Sequence, residues 1–360
     1  DRRGTSCLKY DFQVERRGRD DLLPMWVADM DFALPEDILE DIKDRISHGI
    51  FGYTDPKKDY FDRVLDWFYI HFGWKGRAEW ITVTPGVVVA ISVAVRALTG
   101  EGDGVLIQQP VYYPFSEAVV ANNRRLVNNQ LVYKDGKYSI DFEDFEKKIV
   151  DENVKLFILC SPHNPVGRVW TLGELRKMGE ICLKHNVVVV SDEIHCDFTY
   201  EGHRQIMFPS ISKEFEDNVI LCTAPSKTFN IAGLQVSNIF IPNEKIRKTF
   251  KAELEAFGYS QPNVIGLTAC QSVYSKGNEW YEELKNYLAE NLDFLRDFLK
   301  ENLPKIKLVE PEGTYLVWLD CSGLGLDAGG LERFVEDKAK LWVDFGIIFG
   351  KESGQFIRLN

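Results

Sequence analysis

Two hydrophobic rhythms divide the chain. Between Trp80 and Ile241, short runs of nearly unbroken aliphatic residues recur at Trp80–Thr84, Val105–Ile107, Lys155–Cys160, Val187–Ser191 and Val219–Cys222. Runs of this length without polar alternation predict strands buried on both faces, as in a parallel sheet. Helical spacing separates them at Val87–Leu98, Asp141–Val150 and Thr171–Lys184, the last opening on the capping box Thr171-x-x-Glu174. Val236–Ile241 predicts an antiparallel strand at the sheet's edge, and the whole is a wound α/β unit. Before it, Ile38, Ile42 and Ile46 place a helix within Pro35–His48, and Phe61–Phe72 reads as another. After Pro262 the rhythm changes. A long helix is predicted over Glu279–Asn302, strands at Lys307–Val309 and Tyr315–Leu319, a helix over Gly330–Trp342, and strands at Ile347–Phe349 and Phe356–Leu359. The pattern therefore predicts an N-terminal segment (1–54), a large α/β domain (55–261) and a small α+β domain (262–360).

Composition narrows the function classes. Hydrophobic residues make up 45% of the 360 positions and charged residues 27%, which suits a globular chain with a substantial core. The net charge of -12 argues against non-specific nucleic-acid binding, which needs a basic face. No apolar run is long enough to span a bilayer. The first residues are charged without a signal-peptide pattern, and a chain that opens on Asp1 and stops on Asn360 is expected to be trimmed. Seven cysteines without a CxxC pair suit reduced, buried thiols in a cytoplasmic protein better than a disulfide framework or a zinc site.

Open α/β sheets bind ligands at the carboxyl ends of their strands. Each predicted strand is followed by residues with chemistry to offer. Trp80–Thr84 leads into Pro85-Gly86-Val87-Val88, where a close backbone approach and a helix N-terminus suit a phosphate. Val105–Ile107 leads into Pro110-Val111-Tyr112-Tyr113, whose rings can stack on a flat cofactor or fill a core. Lys155–Cys160 leads into Ser161-Pro162-His163-Asn164-Pro165, and Asn164 before a proline can offer its amide. Val187–Ser191 leads into Asp192-Glu193-Ile194-His195. Asp192 needs a partner, and a protonated ring nitrogen would be one. A metal on Asp192 and His195 lacks further ligands, and His195 suits a hydrogen-bonded core histidine as well as a cofactor contact. Val219–Cys222 leads into Thr223-Ala224-Pro225-Ser226-Lys227. A lysine at the end of a buried strand is costly unless used. Desolvation favours its free amine, a nucleophile toward carbonyls. Any one of these turns could be ordinary. The ordered set is specific.

With these residues in hand, the chain resembles the fold type I pyridoxal-phosphate enzymes of the aminotransferase class I/II superfamily. It is most similar there to the MalY/PatB-like C–S lyases of cystathionine β-lyase type. The motifs that carry the resemblance are Asp1-Arg2-Arg3-Gly4-Thr5, PMWVADMDF (24–32), FGYT (51–54), TPGVV (84–88), QPVYYPF (109–115), SPHNPVG (161–167), SDEIH (191–195) and APSKTFNIAGLQ (224–235). The resemblance implies an α/β architecture with a large wound mixed-sheet domain and a small α+β domain. It also implies pyridoxal 5'-phosphate as cofactor and a homodimer with shared sites. By the same resemblance, Lys227 would join the cofactor aldehyde and carry the proton, Asp192 would pair with the ring nitrogen, Asn164 with the phenolic oxygen, and Tyr112 would stack. His195 is a further candidate contact. Gly86, Val87, Val88, Thr223 and Ser226 would surround the phosphate, with Tyr53 reaching it from the neighbouring subunit. Arg358 would bind the substrate carboxylate, with Asn164 and Ala28 lining the pocket. One position departs: Gln235 stands where many aminotransferases carry a phosphate-binding arginine.

The expected reaction is β-elimination from cystathionine, cystine or S-substituted cysteines. Aminotransfer between L-amino acids, and a non-catalytic regulatory dimer on the same fold, are the alternatives. A protein that stays colourless with pyridoxal phosphate would favour the last.

Overall fold

The computed structural model describes residues 1–360. Its centre is a seven-stranded sheet of β1 (Ile81–Thr84), β2 (Gly104–Ile107), β3 (Arg125–Asn128), β4 (Val154–Cys160), β5 (Val188–Asp192), β6 (Val219–Thr223) and β7 (Ser237–Phe240). The strands lie in the order β1-β7-β6-β5-β4-β2-β3. β7 runs against both its neighbours and the other six share one direction. Alternate residues of β4 explain its unbroken apolar run. Leu156 and Ile158 pack with Ala90, Ile91 and Ala94 of the helix Val87–Leu98 on one face. Phe157 and Leu159 pack with Phe145, Leu175 and Met178 on the other. Both faces are covered, so the strand cannot alternate.

The antiparallel direction of the Val236–Ile241 segment is as expected, but its edge position is not. β7 lies inside the sheet between β1 and β6. The edges are β1 and β3, and β3, with only Val127 buried, has too weak a pattern to predict. Sequence order says which strand comes next, not which strand pairs with which.

A second sheet, ordered β8-β9-β11-β10, contains β8 (Lys307–Val309), β9 (Val317–Asp320), β10 (Asp344–Phe345) and β11 (Phe356–Leu359). The long helix Asn278–Asn302 is present. The predicted helix over Gly330–Trp342 is shorter. It spans Ala328–Phe334, loosens into a π turn at Val335–Ala339, and gives way to a strand at Leu341–Trp342. The predicted strand Ile347–Phe349 is a 3-10 turn at Gly346–Ile348, and the strand sits just before it at β10. Three apolar residues in a row fit either, and the close approach of Gly346 to the backbone of Ser353 and Phe356 favours the turn.

The N-terminal residues join this second sheet's side. Leu23–Pro24 pairs with Leu341–Trp342, and Trp26 stacks on Trp342 at 4.5 Å. The change of rhythm at Pro262 does not mark a change of core. The helix Val264–Lys276 buries Leu267, Cys270 and Val273 with Ile38, Tyr60, Trp67 and Phe68 beside the large sheet. Helical spacing replaced strand spacing there, and spacing carries no information about which core is filled. All seven cysteines are free and buried. No helix is long and apolar enough to cross a membrane.

Candidate active site

Because β1 shares the direction of β4, β5 and β6, the turns after all four open on one edge of the sheet. A cavity of about 350 Å³ lies there. Gly86, Val87 and Val88 line it after β1, Tyr112 after β2, Asn164 after β4, Asp192 and His195 after β5, and Lys227 after β6. From the other side come Arg358 of β11 and Ala28. Three predicted residues do not line it. Thr223 is buried in the sheet, its hydroxyl donating to the Asn238 carbonyl at 2.7 Å, so that donor is engaged by its neighbour strand. Ser226 is half-buried beside the cavity without lining it. Tyr53 lies on an outer loop, 96% exposed.

Lys227 is held by a backbone carbonyl. Its Nζ donates to Ala28 O at 2.6 Å. Burial, and then the nearby Arg358 cation, pull its pKa down to about 8, so a useful fraction of free amine exists near neutrality. Asp192 is 4% exposed, and burial pushes its carboxyl up to about 7. Its Oδ1 accepts from Ile194 N–H at 3.1 Å, and no protein donor reaches the other oxygen. Glu193, next in sequence, points the other way. It accepts from Ser191 Oγ, Gln205 Nε2 and Phe208 N–H, and burial likewise pushes it up to about 7. His195 is buried with Nδ1 unpartnered, and burial and then the Lys227 charge hold it neutral.

The opposite wall is built around a buried ion pair. Arg358 is 3% exposed. Its guanidinium donates to the Asp344 carboxylate, to Trp26 O at 2.8 Å and to Asn164 Oδ1 at 3.1 Å, and lies over the Phe349 ring. Nε has no partner. Asp344 and Arg358 are register partners on adjacent strands, so their side chains stand together on one face. Asp344 lines the cavity and was not predicted. The segment Met25–Asp31 crosses between the walls. Arg2 donates to Asp29 at 2.7 Å and to Met30 O at 3.0 Å, and Lys9 and Tyr10 donate to Asp31. Asp29, half-buried, is thus hydrogen-bonded, as the cost of burying a carboxylate requires, while Asp31 is hydrogen-bonded at the surface.

Residues 20–354 match the family described as aminotransferase class I and II. The chain belongs to this family. Cystathionine beta-lyase PatB of Bacillus subtilis (strain 168) is 48% identical over 360 residues, covering 100% of this chain and 93% of that protein. Protein MalY of Escherichia coli (strain K12) is 33% identical over 362 residues, covering 100% and 92%. Among solved structures, cystalysin from Treponema denticola, which contains a pyridoxal 5'-phosphate cofactor, has a TM-score of 0.97 at 39% identity, covering 100% of this chain and 92% of that one. The PLP-bound C–S lyase from Staphylococcus hominis has a TM-score of 0.93 at 34% identity, covering 100% and 91%.

The cavity of this family member fits a flat cationic ring bearing an aldehyde and a phosphate. A buried carboxylate with a free oxygen suits a ring N–H. Asn164 gives its Oδ1 to Arg358, and no acceptor in the chain takes its side-chain Nδ2–H, while its backbone N–H donates to Cys160 Sγ. The helix Val87–Leu98 begins after Gly86 without a side-chain cap, so its first N–H groups stay open to an anion. Gln235 lines the cavity in a left-handed conformation (φ 51°) and brings an amide where an arginine would bring charge.

Proposed function

We propose that this chain is a pyridoxal-phosphate-dependent C–S β-lyase. It takes cystathionine, cystine or S-substituted cysteines to pyruvate, ammonia and a thiol. The full-length likeness to cystathionine beta-lyase PatB supports the reaction class. The observation that carries the choice over a dicarboxylate transaminase is that Arg358 is the one guanidinium lining the cavity. One fixed fork binds one carboxylate, and no second guanidinium of the same chain lines the cavity.

Each residue then has a task. Lys227 would hold the cofactor and, as a free amine, would take the Cα proton. When bound, pyridoxal phosphate supplies the sink for the electron pair left at Cα. Asp192 holds the ring nitrogen's proton, and Asn164 donates to the phenolic oxygen. Tyr112 packs on the ring face. Gly86, Val87 and Val88 offer backbone N–H groups to the phosphate, with Ser226 nearby. Arg358 fixes the α-carboxylate and so aligns Cα–H with the Lys227 amine. The electron pair at Cα forms a Cα–Cβ double bond as the Cβ–S bond breaks, the sulfur leaves with its own pair as a thiolate, and the released enamine takes a proton at Cβ and is hydrolysed by water to ammonia and pyruvate.

Product analysis tests the reading. Pyruvate and free thiol should form from cystathionine without an added keto acid. Turnover only with 2-oxoglutarate and an amino donor would establish the aminotransferase instead. Borohydride reduction of the loaded enzyme should fix the label on Lys227.

We also propose a cytoplasmic homodimer with shared sites. Seven buried free thiols suit a reducing compartment. The exposure of Tyr53, with Phe51 and Ile50 beside it, suits a residue that works in a neighbour's cavity. Mixing inactive Lys227→Ala with inactive Tyr53→Ala should restore activity through hybrids. Hybrids that form and stay inactive would exclude the shared site.

A further inference from the structure

The loop that carries Lys227 is tied to the crossing segment by one amide. Asn230, three residues on, accepts from Met30 N–H at 2.9 Å through Oδ1 and donates to Met30 O at 2.8 Å through Nδ2. It satisfies both backbone groups of Met30, as a neighbouring strand would. Two residues earlier, Ala28 O accepts from Lys227 Nζ at 2.6 Å and from the Tyr315 hydroxyl at 3.1 Å. Asn230 holds a left-handed conformation, φ 55°, which asparagine tolerates better than most residues. The amine and its acceptor are therefore separated by a short closed circuit: Lys227, Asn230, Met30, Ala28.

We infer that Asn230 is a positioning residue for proton transfer, holding the Ala28 carbonyl where it receives the Lys227 amine whenever that amine is free. A lysine side chain has four rotatable bonds, and a fixed acceptor at its tip removes most of that freedom. A carbonyl acceptor also favours the ammonium form, opposing the burial that drives the proton off. The other groups facing the amine are Asp29 on the same segment, Asp192 after β5, Arg358 on β11 and His195. Asn230 touches none of these directly; through Met30 it sets the Ala28 carbonyl and, with it, Asp29. The consequence for turnover rests on the lyase reading. The consequence for the amine does not.

The test is the pH dependence of Lys227 acetylation by acetic anhydride in the full chain stripped of cofactor, read by peptide mass mapping. Asn230→Gly keeps the left-handed backbone at no steric cost and removes the amide. Its Lys227 titration midpoint should fall by about one pH unit, as befits a lost hydrogen bond to a charged group. In the loaded enzyme the same variant should lose about tenfold in kcat with KM little changed, because Asn230 makes no contact with Arg358, the carboxylate-binding residue. Asn230→Ala should show the same midpoint with lower thermal stability, since alanine resists the left-handed region. An unmoved midpoint in either folded variant overturns the inference. Absence of any thiol release from the parent enzyme would overturn the lyase reading and leave the acetylation result standing.

Discussion

The two walls of the cavity are made differently. On the sheet side, Asp192 ends, and Lys227 follows by four residues, strands of five residues whose neighbours cover both faces. On the other side, Arg358 and Asp344 stand on strands of four and two residues, and Ala28 lies in a segment held by side chains. The first wall leaves its charged groups without protein counter-ions. Asp192 has one backbone donor and Lys227 one carbonyl. The second pairs every charge it carries, Arg358 with Asp344 and Arg2 with Asp29. Unpaired charge in a dry place is chemistry held ready, whereas paired charge is geometry held still.

The comparison breaks most sharply at Asp192. Asp192→Ala should keep the fold and cost about 10²–10³ in kcat, the scale of losing one preorganised electrostatic partner. Near-normal turnover would remove Asp192 from the chemistry. Its titration gives a second check on the cofactor-free chain. A carboxyl raised from 3.8 to about 7 by burial makes the folded state hold a proton that the unfolded state releases. Its contribution to stability is full below about pH 4 and is lost as pH rises to 7. Asp192→Asn should therefore gain stability relative to the parent between pH 4 and 7, by about 4 kcal/mol, and nothing further above. Thermal melts of both proteins across that range measure it. A constant difference would mean that Asp192 is not held protonated.

On the paired wall the expected effects are on stability and binding. Asp344→Asn leaves Arg358 buried without its counter-ion and should cost about 3 kcal/mol of stability. A small carboxylate ligand should then raise the melting temperature of the variant more than that of the parent, because it replaces the lost partner. Equal ligand effects would show that Arg358 does not receive carboxylates. Arg358→Lys, the mildest of the set, should raise KM for amino acids about tenfold while cofactor uptake is unchanged. An unchanged KM would make Arg358 purely structural.

The sheet-side wall was readable because its signals are local. A buried apolar run followed by Asp192, Asn164 or Lys227 states both the strand and the end that carries the residue. The paired wall was only half readable. Arg358 was found through the resemblance, but Asp344 was not, since a two-residue strand leaves no periodicity and its importance comes from register with β11. Asp29 and Asp31 could be predicted to need partners, yet Arg2 and Lys9 are more than twenty residues away in sequence. The interior place of β7 and the core allegiance of Val264–Lys276 failed for the same reason. Both are facts about pairing at a distance, which spacing along one segment does not encode.

The crossing segment Met25–Asp31 also has a meaning for the order in which the protein is made. Arg358 donates to Trp26 O and Asn360 to Asp29 O, contacts that join positions more than 330 apart. Ribosomes add about 5–20 residues per second, so the roughly 130 residues between Lys227 and Arg358 take on the order of ten seconds to emerge. During that interval Lys227 has no Arg358 cation beside it. The cation that helps to lower the Lys227 pKa therefore arrives late in synthesis.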